Sequence, residues 1–510
     1  MSLYTPPNST NIFELPPILE SICSNLLPYD IRDCRLVCKS WALLFEPYSW
    51  RYIDLHWPTQ YTTAKLIESN SHRIWSLSAL MRDLSILLEA NQVLCTNLRE
   101  LLTLGDFYHG EQFEVLYDAH GISDHRHPGC PLAEILKLVS LNPQLHTLEF
   151  STITNSIQPF DYSLLSGFSA LQKLTRLALE PSEHERKDPE LIFNILKSCP
   201  SSLQELRLGC YCEFKSRQNY MVRSMESAAT ASRRKTPWKT FQYLKSLSVR
   251  CKHGECEPWI HEPILRNSPQ LNCISIFGRS REVLETASTF CPSIERLRIG
   301  SGPCMPPANR QEEDFVRLIQ AYPRGLKSLY LEAKCSTQDR ILSALLQTSL
   351  MTLESLQVEG GAGISRETII RTLRDCTNLQ EFDLRPDGVY PDTGLSLDEL
   401  LRTPWASPQL STISIPVIDM ENKSLADADS VELKEARHRK LATMILDLHR
   451  KVKAHPGGPI CSFPCMFPKY VMPIDTALEM MRHEITEEQL RSMDLRWPST
   501  KDEKWNRGEY

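Results

Sequence analysis

A chain of 510 residues, 24% of them charged and 41% hydrophobic, with a formal net charge of −6, offers no broad basic field for a nucleic-acid backbone and too much apolar content for a disordered polymer. No run approaches the roughly 18 uninterrupted apolar residues of a membrane span. No basic residue precedes Arg32 and no signal-type apolar core opens the chain, so the 17 cysteines are expected as reduced thiols in a soluble protein of the cytoplasm or nucleus.

Residues 1–11 are polar and proline-bearing, and disorder is expected there. From Ile12 the pattern tightens. Leu15-Pro16-Pro17-Ile18-Leu19 opens a helix whose apolar face continues through Ile22 and Leu26. Pro28-Tyr29-Asp30 breaks and recaps the chain, and a second helical run carries Ile31, Cys34, Val37, Cys38 and Trp41 before Trp50-Arg51. Helices this short are not stable alone, because nucleation is costly and a single apolar stripe leaves much surface bare, so they need a partner.

Leu15-Pro16, the spaced Leu19, Ile22 and Leu26, Asp30, then Leu36-Val37-Cys38-Lys39-Ser40-Trp41 and Trp50-Arg51 together resemble an F-box, the helical module of ubiquitin-ligase receptors, over residues 12–55. Pro17 stands where many members have an acidic or small residue, and it is tolerable at a helix start. The resemblance implies docking on a Skp-type adaptor and, through it, on a cullin. Leu15, Pro16, Leu19, Ile22, Leu26, Val37 and Trp41 would form the adaptor-facing apolar surface or the small core behind it. The plainer alternative is a helical cap covering the first repeat.

Residues 56–144 hold degenerate early repeats, Ile74/Leu77 and Leu98/Leu101, and an insertion from Phe107 to Cys130. The insertion's His109, His120, His125, His127, Cys130, Asp118 and Asp124 match no defined zinc spacing, and a polar loop is expected. Over residues 145–416 one frame then returns: an apolar residue, two others, an apolar residue, one other, an apolar residue. It reads Leu145/Leu148/Phe150, Leu174/Leu177/Leu179, Leu203/Leu206/Leu208, Leu244/Leu247/Val249, Leu271/Ile274/Ile276, Ile294/Leu297/Ile299, Leu326/Leu329/Leu331, Leu353/Leu356/Val358, Leu379/Phe382/Leu384 and Leu410/Ile413/Ile415. A period of roughly 20 to 30 residues with this core is the leucine-rich-repeat signature, a strand plus a return helix that buries its apolar face only by stacking. The linkers agree: Asp188-Pro189-Glu190 starts an amphipathic helix, Ser396-Leu397-Asp398-Glu399 is a capping box, and prolines such as Pro143, Pro200, Pro269 and Pro323 stop helices just before the next frame.

The longest unit carries a second insertion, Cys212 to Thr240, with Arg217, Arg223, Arg233, Arg234 and Lys235. Such a cluster can be a nuclear address, an acidic-partner contact or a solvated loop, and the loop is favoured. After Ile415 the frames stop. Residues 417–510 read as a helical cap, with a helix from Val431 to Val452 and capping boxes at Thr476 to Glu479 and Thr486 to Gln489. The expected fold is α/β: the helical module, a solenoid with parallel strands on its concave face and helices on its convex face, and a helical C-terminal cap. That succession resembles fungal F-box/leucine-rich-repeat proteins.

Catalytic motifs are missing from the sequence: no phosphate loop, no GxSxG elbow and no HExxH. The expectation is a binding protein, not an enzyme, with no cofactor, nucleic acid or membrane among its partners. The resemblance makes it the substrate-recognition subunit of a ligase; an interaction scaffold outside the ligase is the alternative. Strand positions flanking the frame's second and third apolar residues point to the concave face. There Arg250, Arg296, Arg298 and Phe277 make a basic, aromatic patch, and Tyr330, Glu332, Glu359, Glu381 and Asp383, relieved by Arg385, make an acidic one. Both are candidates for meeting a protein substrate, although exposed strands also favour charge for solubility. Cys210 and Cys251, with Cys212, His253 and Cys256, are expected to be packing thiols, zinc being the alternative.

Overall fold

The computed structural model describes residues 16–55, 61–80, 84, 95–104, 132–151, 165–180, 189–210, 238, 240–255, 258–279, 281–300, 308–332, 338–360, 364–385, 395–415, 447, 450–452, 454–456 and 460–462. The chain divides into two compact units, Met1–Tyr211 with Pro237–Leu244, and Cys212–Thr236 with Lys245–Tyr510.

The first unit opens with three helices, α1 (Pro16–Asn25), α2 (Pro28–Val37) and α3 (Lys39–Ser49). Pro28 at the first turn of α2 loses no hydrogen bond, and the Leu27 N–H donates to Asp30 Oδ2 at 3.0 Å. Six strands follow: β1 (Tyr52–Leu55), β2 (Ser76–Leu80), β3 (Glu100–Leu104), β4 (Thr147–Ser151), β5 (Arg176–Glu180) and β6 (Glu205–Cys210). Each pairs in parallel with the next in sequence. The early frame residues Ile74, Leu77, Leu98 and Leu101 are all buried, so the degenerate segment does build repeats, and β1 adds a rung before them.

The second unit continues the grammar with eight strands: β7 (Ser246–Glu255), β8 (Cys273–Arg279), β9 (Arg296–Gly300), β10 (Ser328–Glu332), β11 (Ser355–Glu359), β12 (Glu381–Arg385), β13 (Thr412–Ser414) and β14 (Ile460–Ser462). They too are parallel and in sequence order. Helices such as Ala308–Gln320, Gln338–Ser349 and Arg366–Asp375 return the chain between strands, as parallel pairing requires. In β10, Leu329 and Leu331 are buried while Ser328, Tyr330 and Glu332 are partly exposed. A slip of one residue would exchange those sets, so the apolar frame fixes the register.

One backbone device recurs at strand starts. The Arg51 carbonyl accepts from the N–H groups of both Trp75 and Ser76, and the Trp75 carbonyl from those of Arg99 and Glu100. In the second unit the Glu295 carbonyl accepts from Lys327 and Ser328, and the Lys327 carbonyl from Glu354 and Ser355. Each rung thereby satisfies the donors that open the next, which carries the register along the array without help from side chains. The capping box at Ser396 forms as read, Ser396 N–H donating to Glu399 Oε2 at 2.8 Å and Glu399 N–H to Ser396 Oγ at 3.2 Å.

Beyond the last frame the chain adds β14, paired with β13, where a helical cap alone was expected. The tail is fastened by Lys451, whose Nζ donates to the carbonyls of Leu400 and Leu401 at 2.9 Å and also to that of Thr403, and lies 4.7 Å from the Trp405 ring centre. These are the open carbonyls at the end of helix Leu397–Arg402, where a cation is favoured; burial nevertheless pulls the Lys451 ammonium down to about 8. The remaining cap helices, the first insertion, the second up to residue 237, and the side chains of Cys210, Cys212, Cys251, His253 and Cys256 lie outside the described residues. Among the described residues no helix is long and apolar enough to cross a membrane, and no three His, Cys, Asp or Glu side chains group as metal ligands.

Candidate functional site

The three N-terminal helices close around Leu19, Cys23, Ile31 and Phe45, with Leu26, Cys34, Trp41, Leu44 and Tyr48 packed against them. Trp41 and Phe45 stand 5.5 Å apart, tilted. A core of this size cannot hide every apolar side chain the segment carries. Leu36 is 77% exposed, Leu43 79% and Val37 64%, and Ile18, Leu27 and Tyr29 are exposed as well. Of the residues expected on this face, Val37 and Pro16 are exposed, Ile22, Leu26 and Trp41 are half-buried, Leu19 is core, and Leu15 lies outside the described residues. Sequence reasoning missed Leu36 and Leu43. Leu36-Val37 and Leu43-Leu44 are adjacent apolar pairs, but adjacency does not say which members stay outside, since neighbouring Leu44 and Phe45 both pack on the core.

Arg51 joins this module to the first rungs. Its guanidinium pairs with Glu20 of α1 and lies 4.2 Å from the Tyr48 ring centre and 3.7 Å from that of Trp75. Arg99 stacks on the same Trp75 at 3.7 Å, and Glu46 of α3 pairs with Arg73 at 3.0 Å while accepting from Trp50 Nε1 at 2.9 Å. The helices are therefore not tethered by a loop but interlocked with β1 and β2.

The second candidate surface is the strand face of the second unit. Registration aligns three rows across it: Arg296, Ser328, Ser355 and Glu381; Ser275, Arg298, Tyr330, Gln357 and Asp383; and Arg250, Phe277, Gly300, Glu332, Glu359 and Arg385. All nine residues expected there do fall on these rows. Phe277 leans over Gly300, where any Cβ would run into its Cδ1 and Cε1, so glycine is what lets the ring lie flat across β9. The Arg298 guanidinium then sits between two aromatic faces, 5.3 Å from the Phe277 centre and 4.1 Å from that of Tyr330, with Arg250 5.5 Å from Phe277.

The acidic half is internally engaged. Tyr330 Oη donates to Glu359 Oε2 at 2.7 Å, and Arg385 meets both Glu359 Oε1 at 3.4 Å and Asp383 Oδ2 at 2.6 Å. Glu381 accepts from Ser355 Oγ at 3.0 Å and Gln357 Nε2 at 2.6 Å. Burial, then the bond to Glu359, pushes the Tyr330 phenol up to about 12, with Arg298 opposing. Asp383 is only 5% exposed, which corrects its reading as a substrate contact: it holds Arg385 in place.

Residues 13–56 match the F-box-like family, a span covering the three helices and β1. The chain thus carries an F-box-like domain ahead of stacked parallel strand-and-helix repeats, a solenoid of the α/β, leucine-rich-repeat kind. No curated protein sequence matches it. Among solved structures it is similar to a chain in the Toll–Spatzle complex, described as a molecular hub in Drosophila development and innate immunity, at 12% identity and a TM-score of 0.25. That match covers 65% of this chain and 34% of the other, so this chain spans about a third of it; a likeness this slight carries no argument.

Proposed function

We propose that the protein is the substrate-recognition subunit of a cullin-based, SCF-type ubiquitin ligase, acting in the cytoplasm or nucleus. Its F-box-like helices dock on a Skp-type adaptor, and its repeats hold a protein substrate. The observation that carries this reading is the set of exposed apolar side chains, Leu36, Val37 and Leu43 foremost, on the very helices that match the F-box-like family. In this role the chain makes and breaks no bonds. It raises the effective concentration of a substrate lysine near a charged conjugating enzyme, and an interlocked module fixes that distance better than a flexible one.

Affinity capture of the intact chain and of a Leu36→Asp/Leu43→Asp variant, compared by mass spectrometry, tests the assignment. Adaptor and cullin are expected with the intact chain and lost from the variant, while repeat-bound partners persist in both. Adaptor without cullin would favour a scaffold outside the ligase; adaptor retained by the variant would refute this docking face.

A further inference from the structure

We propose that Arg296 and Arg298 on β9 are the docking site for an extended acidic protein segment whose carboxylates lie two residues apart, a reading that names the substrate class for the receptor role proposed above. From its sequence the strand face is bipolar, offering charge of both signs to a partner. The side-chain contacts leave a different balance. Glu359, Glu381 and Asp383 are already hydrogen-bonded by Tyr330, Ser355, Gln357 and Arg385, so these carboxylates are engaged within the sheet although their charge is only partly offset. Arg296 and Arg298 are both exposed, and neither has a carboxylate partner among the described residues. The strand face of the first unit makes the contrast: there Glu205 bridges Arg176 and Arg207 at 2.9 Å each, giving both arginines a carboxylate partner.

Geometry narrows the occupant. Arg296 and Arg298 are alternate residues of one strand and lie on one side of it, about 6.6 Å apart along the strand. An extended peptide lying over the strand face along β9 places its own alternate side chains at the same repeat, so acidic residues at i and i+2 meet both guanidinium groups. Arg298 is also held in advance. Stacking between Phe277 and Tyr330 and a hydrogen bond to the Tyr330 hydroxyl hold the guanidinium, whose remaining N–H groups can meet a carboxylate, and Tyr330 is itself fixed through Glu359 and Arg385. A guanidinium ordered before binding loses less rotamer freedom when it binds.

The test is fluorescence anisotropy of the purified full chain with a fluorescein-labelled Gly/Ser dodecapeptide bearing four alternate glutamates, beside the same peptide with glutamine and with phosphoserine at those positions. Expected are binding of the glutamate peptide at least tenfold tighter than the glutamine peptide, weakening as salt rises, and a loss of tenfold or more in Arg296→Gln/Arg298→Gln. Tyr330→Phe, which keeps the ring and removes the bond to Glu359, should weaken binding severalfold with the melting temperature unchanged. Equal affinity for glutamate and glutamine peptides, binding of the phosphoserine peptide alone, or indifference to the arginine substitutions would each overturn the proposal. Adaptor capture by the same preparations reports the receptor role separately. Peptide binding absent with adaptor retained overturns only the docking site; adaptor absent with peptide binding retained overturns only the receptor reading.

Discussion

His261 sits fully inside the second unit, and burial pulls its imidazole down from the ordinary 6.5 to about 4. The neutral ring is what the folded chain accommodates, whereas the unfolded chain takes up a proton near 6.5. The stability this represents is complete above about pH 6.5 and is lost as pH falls through about 4. At about pH 4.5 the loss is on the order of 2–3 kcal/mol, so urea midpoints of the native chain should fall between neutral and acid pH more steeply than those of His261→Met. Parallel pH profiles would show that other groups carry the acid sensitivity. Thiols divide in the same way. Burial pushes Cys23 and Cys291 up to about 11 and Cys95 and Cys376 up to about 12. Exposed Cys38 is held below the usual thiol range by the Ser40 hydroxyl 3.1 Å away and by backbone N–H groups at the start of α3. Iodoacetamide at neutral pH should modify Cys38 well before those four, as peptide mass spectrometry would register; labelling of Cys23 as fast as Cys38 would mean that the three N-terminal helices open as a unit.

Between elements, the contact with most consequence is Arg51 against Trp75. Two cation–π contacts, each about 0.5–1 kcal/mol, and an ion pair with half-exposed Glu20, worth under about 1 kcal/mol, set the expected cost of Arg51→Ala at about 2 kcal/mol in urea unfolding. A double-mutant cycle with Trp75→Ala should show coupling on the order of 1 kcal/mol. Additive effects would mean that the helices and the first rungs are joined by backbone alone. The elements also differ in how legible they were. The ten frames were readable because a period-2 strand pattern inside a repeat of about 30 residues arises in few architectures besides a solenoid, and the Ser396 box because its chemistry is local. β1 and β14 were not. Tyr52–Leu55 places a single residue, Leu55, in the buried class, and Ile460–Ser462 is three residues long; both exist because a neighbouring rung offers unpaired backbone groups, which no local pattern announces. Leu36 and Leu43 were passed over because helical periodicity ranks core positions and is silent on which surplus apolar residues stay outside.

Across the whole chain, sequence placed the charged residues of the strand face but not their balance, since strand position predicts which side a residue faces and not which neighbour neutralises it. The Tyr330–Glu359–Arg385–Asp383 chain spans three strands whose residues lie about 30 apart, and it becomes visible only with the register in hand. The same long-range bookkeeping bears on where the F-box-like domain can be cut. The family match ends at residue 56, yet within that span Arg51 supplies the carbonyl that receives Trp75 and Ser76, and β1 covers the edge of β2. A chain beginning at residue 57 would bare an unpaired parallel edge together with Leu77 and Ala79, now 2% and 0% exposed, and such edges recruit other strands. That truncation should therefore melt lower than the intact chain and run as larger species in size-exclusion chromatography, losing repeat-bound partners for reasons unrelated to the adaptor. Leu36→Asp/Leu43→Asp changes only exposed side chains and should keep the intact chain's elution volume and its stability to within about 0.5 kcal/mol while losing the adaptor. If the truncated chain instead stays monomeric with an unchanged melting temperature, the repeats need no first rung, and the interlock through Arg51 serves to orient the adaptor rather than to complete the fold.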